Sequence, residues 1–147
     1  MKPTLHLTNW SSKRLHGPGQ KWTIMAAPRG WEHGDGVVPD FTPPLGLFRD
    51  LQAERVTEGY YFTALERRWS EAWDAGWARS GSNQFSPRRL LASPALGEWV
   101  VVAAGDSLLC ACSKDKAAAG RCHRATAAPF LVRAGWRVLL DGREVTT

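Results

Sequence analysis

A chain of 147 residues is long enough to bury roughly 70% of its extended surface in one core, so the sequence reads as a single domain over residues 1–147 and excludes a miniprotein that depends on staples. Three cysteines, an odd number, argue against a disulfide framework and for a reducing, cytoplasmic setting. A net charge of +5 weakly favours polyanionic partners, but acidic residues interrupt many of the basic ones, so a solvated basic surface is the better account of the charge.

The N-terminus passes from Met1-Lys2-Pro3 directly into Leu5–Thr8, which reads as a first strand, with no secretory signal before it. No apolar run reaches the ~20 residues of a membrane span, so no membrane partner is expected. Asn9 to Gly19 is polar and aperiodic, a loop that holds Asn9, Trp10, Ser11, Ser12, Lys13 and Arg14. Trp22–Met25 is a second strand candidate. The Gly- and Pro-rich stretch from Pro28 to Pro44 is the longest irregular region, of a length often given to function.

From Tyr60 to Arg79, Phe62, Leu65, Trp69, Trp73 and Trp77 recur at helical spacing opposite Glu66, Arg67, Ser70, Glu71 and Asp74. The pattern predicts an amphipathic helix whose tryptophan face packs into the core, with a base-stacking platform as the competing use. Ser86-Pro87 then supplies an N-cap and first-turn proline for a brief helix through Leu90 and Leu91. Glu98–Ala104 is apolar and β-branched and either forms a hairpin with the next strand or ends a helix. Ser107–Cys112 is a buried strand, Ala125–Ala134 a helix with Gly135 at its end, and Trp136–Leu140 a further strand before an Asp141-Gly142 turn. Strand, loop, helix and strand over 107–140 make one βαβ unit with parallel strands.

The chemistry concentrates between Leu108 and Arg124, where Cys110, Cys112, Cys122 and His123 lie among Lys114, Lys116, Arg121 and Arg124. This cluster falls at the carboxyl end of a strand, where open α/β sheets bind ligands. Cys122 beside cations at a helix start has its thiolate favoured, which makes it a candidate nucleophile with His123 as base. Neighbours on a helix point about 100° apart, however, and no Asp or Asn is identifiable to orient His123. Alternatively, helix N–H groups with Arg121, Arg124 and Lys114 or Lys116 hold a phosphate, with no nucleotide fingerprint motif in support. A zinc site from Cys110, Cys112, Cys122 and His123 has suitable ligand types, but its spacing departs from the common knuckles, so no metal is assigned. Cys110 also suits a plain buried position.

If the first strand lies beside the 107–112 strand, the Asn9–His16 loop reaches the same crevice. Asn9, Ser11 and Ser12 then face a ribose or base edge, Trp10 or Trp31 either stacks on the base or caps the core under its loop, the basic loop takes the phosphate, and Cys112 is a further ligand-binding candidate.

The run Leu-Leu-Cys-x-Cys, a short loop, Cys-His-Arg, a helix, Ala-Gly-Trp-x-Val and Asp-Gly resembles the C-terminal half of the YeaO-like family of small bacterial domains of unknown function, a half that related phage-encoded proteins share. The resemblance covers residues 107–142, and the Leu-Thr-Asn-Trp-Ser-Ser turn is similar in position to that family's Gly-His-Ser-Asn turn. It implies a Rossmann-like α/β fold. Pro129 departs from it: the helix kinks there, or starts at Thr126 and leaves Cys122-His123-Arg124 in the preceding loop.

The expectation is thus an α/β, single Rossmann-like three-layer domain with a mostly parallel sheet. It binds a nucleotide or another phosphate-containing small molecule, with a phage protein that sequesters a signalling nucleotide implied only by the resemblance. A cysteine-dependent enzyme acting on a nucleotide or nucleic acid and a nucleic-acid-binding module remain as alternatives. The oligomeric state is open.

Overall fold

Thr4–Asn9 (β1) is an edge-to-core alternation in which Leu5 and Leu7 are fully buried, while His6 faces the opposite side of the sheet. Ser107–Cys110 (β6) is buried at all four positions because it runs between two parallel neighbours. In the computed structural model, which describes residues 2–38, 41–72, 90–93, 98–119 and 121–146, these two strands pair in parallel, Leu7 opposite Leu108 and Asn9 opposite Cys110. Lys21–Thr23 (β2) flanks β6 on its other side, and Gly36–Val37 (β3) lies outside β2. Arg137–Leu140 (β7) pairs in parallel with β1, and Arg143–Glu144 (β8) turns back antiparallel at the edge. The six-stranded order is β3-β2-β6-β1-β7-β8. Asp141 and Gly142, at φ 49° and 83°, form the tight two-residue turn between β7 and β8, where both central positions need positive φ.

Leu45–Gln52 (α1), Glu58–Ala72 (α2), Lys114–Ala118 (α3) and His123–Arg133 (α4) supply the helical layer. α4 packs on β1, β6 and β7, and α2 packs on α4. Tyr61, Leu65 and Trp69 form the buried stripe of α2 at four-residue spacing, each apolar side chain worth roughly 1.5–3 kcal/mol on burial. Trp69 meets Phe41 and Phe130 edge to face, at centroid distances of 5.3 and 6.1 Å. This places Trp69 in the core and not on a stacking platform; Trp73 and Trp77 lie outside the described residues. The molecule is an α/β domain of Rossmann-like type, a mostly parallel mixed sheet flanked by helices. Among the described residues no helix is long and apolar enough to cross a membrane.

Several local expectations need correction. Leu90 and Leu91 belong to a strand, Leu90–Ser93 (β4), not to a helix; Ser86 and Pro87 lie outside the described residues. β4 pairs antiparallel with Glu98–Val101 (β5) in a separate two-stranded sheet, so β5 makes no hairpin with β6. The 107–112 strand ends at Cys110, and the chain bends at Ala111. α4 begins at His123 with Cys122 as its extended N-cap, the Cys122 carbonyl accepting from the Ala125 and Thr126 N–H groups. Pro129 therefore sits inside the helix, against the reading that starts the helix at Thr126. Packing of Ala127, Ala128, Phe130 and Leu131 into the core holds the helix through the one hydrogen bond that the proline removes.

Candidate functional site

Three local features bring the cysteines and the histidine together. β6 delivers Cys110 at its carboxyl end, the bend at Ala111 returns Cys112 toward the sheet, and the N-terminus of α4 supplies Cys122 and His123. One ligand atom from each of these four residues lies within 4.8 Å of the others. The sequence expectation that adjacent Cys and His diverge fails for a physical reason: Cys122 is the N-cap, with φ −139° and ψ 139°, so the 100° rule of the helix interior does not apply to it. The thiols of Cys110 and Cys122 are 3.4 Å apart, and all three cysteines are free.

Arg124 lies under this cluster with no solvent exposure. Its Nη1 donates to Cys110 Sγ at 2.9 Å, to the Cys112 carbonyl at 2.9 Å and to Cys122 Sγ at 3.4 Å. Its Nη2 donates to the Ser113 carbonyl at 3.2 Å and to both Asp141 oxygens at 3.1 and 3.2 Å. His123 Nε2 donates to the Ile24 carbonyl at 2.7 Å, and burial lowers its pKa, so the ring is held neutral. A neutral ring that donates from Nε2 keeps the lone pair on Nδ1. The orienting partner missing from the sequence is thus a backbone carbonyl.

The thiols are electrostatically unequal. Hydrogen bonds from Cys110 and then Cys122 hold the Cys112 thiol far below the usual cysteine range, with the charge of Arg124 adding to the effect. Hydrogen bonding with Cys110 and Cys112, followed by burial, pushes Cys122 up, and Cys110 is also raised, first by Cys112. Cys112 is the half-buried member of the three, whereas Cys110 and Cys122 are fully buried.

Cys112, Cys122 and His123 also line a cavity of about 270 Å3. Its remaining walls are largely apolar: Met25 after β2, Phe48 and Leu51 on α1, Tyr61 and Phe62 on α2. Ala26 and Ala27, just before the long irregular region, and Pro43 near its end also border it. Burial raises the Tyr61 hydroxyl well above its ordinary pKa, which keeps it a neutral donor. Lys116 and Arg121 line the cavity as well, and Arg121 is held by Glu58 through Nε at 2.5 Å and Nη2 at 2.7 Å.

The Asn9–Arg14 loop does reach the end of β6, but through its own structure. Asn9 Nδ2 donates to the Cys112 carbonyl at 3.0 Å, and Asn9 Oδ1 accepts from Ser11 Oγ at 3.1 Å and from the Ser12 N–H at 2.8 Å. None of Asn9, Trp10, Ser11, Ser12, Lys13 or Arg14 lines the cavity. Trp10 instead meets Trp31 and His16 edge to face, and Trp31 is 72% exposed. Trp22 is a core residue whose Nε1 donates to Asp106. The Lys114 side chain is outside the described part of the structure. Sequence reasoning did not find Met25, Phe48, Leu51 or Tyr61, which apolar patterning marks as core with no sign of a cavity, nor Glu58 and Asp141, whose partners Arg121 and Arg124 come from other elements.

The fold and this site define a Rossmann-like α/β domain with a thiol-imidazole cluster at the carboxyl end of its central strand. Comparison with family models, curated proteins and solved structures finds no match.

Proposed function

We propose that this domain binds a nucleotide or a nucleotide-derived small molecule, its base in the apolar cavity and its phosphate at the Lys116 and Arg121 side. The observation that carries the reading is the cavity itself, about 270 Å3, where an apolar wall, two cations and a polar floor converge at the strand ends. Arg124, one of the phosphate ligands expected from the sequence, is committed to Asp141 and the thiols. The phosphate therefore falls to Lys116, with Arg121 available once Glu58 yields. Three free thiols are in keeping with a reducing compartment such as the cytoplasm.

Calorimetry with nucleosides, nucleoside phosphates and cyclic dinucleotides tests the proposal, with the ligand recovered afterwards by mass spectrometry. Saturable binding that is lost in Ala26→Phe, which fills the cavity, supports it. A ligand recovered chemically changed would make the domain an enzyme. Affinity only for long nucleic acids, falling linearly with salt on logarithmic axes, would overturn the proposal in favour of a nucleic-acid-binding surface.

A further inference from the structure

We propose that Cys110, Cys112, Cys122 and His123 form a four-coordinate site for a thiophilic divalent cation, zinc foremost, at the floor of the cavity. This inference is independent of what the cavity binds. Three thiolates and one imidazole are a donor set of structural zinc centres, and the four ligand atoms already lie within 4.8 Å of one another. Zn–S bonds of 2.3 Å at tetrahedral angles set sulfurs roughly 3.8 Å apart. The Cys110 and Cys122 sulfurs, at 3.4 Å, need to move by only a few tenths of an ångström.

The surroundings are those of a metal centre as well. A metal-bound histidine nearly always gives its other ring N–H to a carbonyl, carboxylate or water. His123 gives Nε2–H to the Ile24 carbonyl and keeps Nδ1 as the nitrogen with a lone pair. Zinc with three thiolates and a neutral imidazole carries one net negative charge. Arg124, buried and donating from Nη1 to the sulfurs of Cys110 and Cys122, sets a positive charge and a shared donor against it.

Binding would release the thiol protons to solvent, so affinity falls as pH is lowered. Four protein ligands leave no open coordination position, which makes the role structural: the ion ties the end of β6 to the start of α4. The sequence spacing hid this site because it depends on the bend at Ala111 and the extended N-cap at Cys122.

The test is anaerobic Co2+ titration of the full chain after chelator treatment under reducing conditions, followed by displacement with Zn2+. The expected result is one ion per chain, with intense tetrahedral visible bands and thiolate-to-cobalt charge transfer in the near ultraviolet, both abolished by Zn2+. Thiol reagents should then find the half-buried Cys112 in the metal-free chain and find it protected in the zinc-loaded one. Cys112→Ser, at the half-buried position, should lower affinity at least ~10-fold. The wild-type spectrum stands as the test if that variant does not fold. Weak octahedral bands without charge transfer, or a Cys112 thiol equally reactive with and without Zn2+, would overturn the proposal.

Discussion

The guanidinium of Arg124 faces the carboxylate of Asp141, Nη2 lying 3.1 and 3.2 Å from its two oxygens, while Nη1 holds Cys110 Sγ. One planar side chain thereby connects the β7–β8 turn to the end of β6, and Thr8 Oγ1 donates to Asp141 Oδ1 at 2.8 Å from the intervening strand. Removing one partner of a buried ion pair leaves the other uncompensated, at a cost of about 3–5 kcal/mol. Arg124→Ala should lose stability of that order in urea unfolding. Arg124→Lys should recover little of it, because an ammonium cannot present two parallel sets of donors to sulfur, carbonyl and carboxylate. An unfolding midpoint for Arg124→Lys equal to wild type would refute this account.

Asp106 performs the equivalent task at the other end of β6. Its buried carboxylate accepts from the Gln20 N–H at 2.8 Å, Trp22 Nε1 at 2.9 Å and the Ala103 N–H at 2.9 Å. Asp106→Ala strands all three donors, and hydrogen bonds to a charged group are worth about 1.5–3 kcal/mol each before any relaxation. The expected loss is at least ~2 kcal/mol, read as a lower urea midpoint at unchanged slope.

Gly17 is tied to the sheet by its N–H, which donates to Ser107 Oγ at 2.8 Å. A Cβ there would overlap the Gly105 carbonyl oxygen and the His6 ring. A backbone oxygen cannot swing aside as the end of a flexible side chain can, so Gly17→Ala should cost about 1–3 kcal/mol by overpacking. A Tm equal to wild type would show that the loop shifts freely.

Glu58 competes with any anion for Arg121. Glu58→Gln should leave the fold unchanged, since the pair is exposed and exposed pairs contribute little. The same change should tighten binding of a phosphate-bearing ligand, measured by calorimetry. Lys116→Ala should weaken a nucleotide about two- to fivefold, on the scale of one exposed ion pair, and leave the parent nucleoside unaffected. Equal effects on both ligands would place the phosphate elsewhere.

His6 carries a pH dependence whose sign follows from its surroundings. Burial, and then the charge of Arg137, lowers its pKa in the folded state. The unfolded chain therefore binds a proton at higher pH than the folded one. Stability from this group is intact above the ordinary histidine value and is lost as pH falls from roughly 6.5 toward the lower folded pKa. His6→Gln should flatten the fall in stability over roughly pH 7 to 5, followed by urea midpoints at each pH.

The most legible elements were those whose signals are local. Leu5 and Leu7 alternate with polar neighbours, the apolar Ser107–Cys110 run marks the central strand, and Gly135 follows the last helix. Together they were enough for a βαβ reading and a Rossmann-like class. Local signals also misled: Ser86-Pro87 reads as a helix start, yet Leu90 and Leu91 pair with Val101 and Val100 in β4 and β5. The β-structure there is decided by the partner strand, which no short window contains.

For the site, residue types and sequence order were sufficient to gather Cys110, Cys112, Cys122, His123 and Arg124 into one region, because all five sit within one strand-loop-helix connection. Only the tertiary structure decided their roles. It buried Arg124 against Asp141 and gave Arg121 to Glu58, 63 residues away. It also set the Ile24 carbonyl on His123 and roofed the cluster with Met25, Phe48 and Tyr61. The physical reason is that side-chain chemistry is written in the residue, whereas burial, pairing and the bond that fixes a tautomer depend on groups brought near from distant parts of the chain.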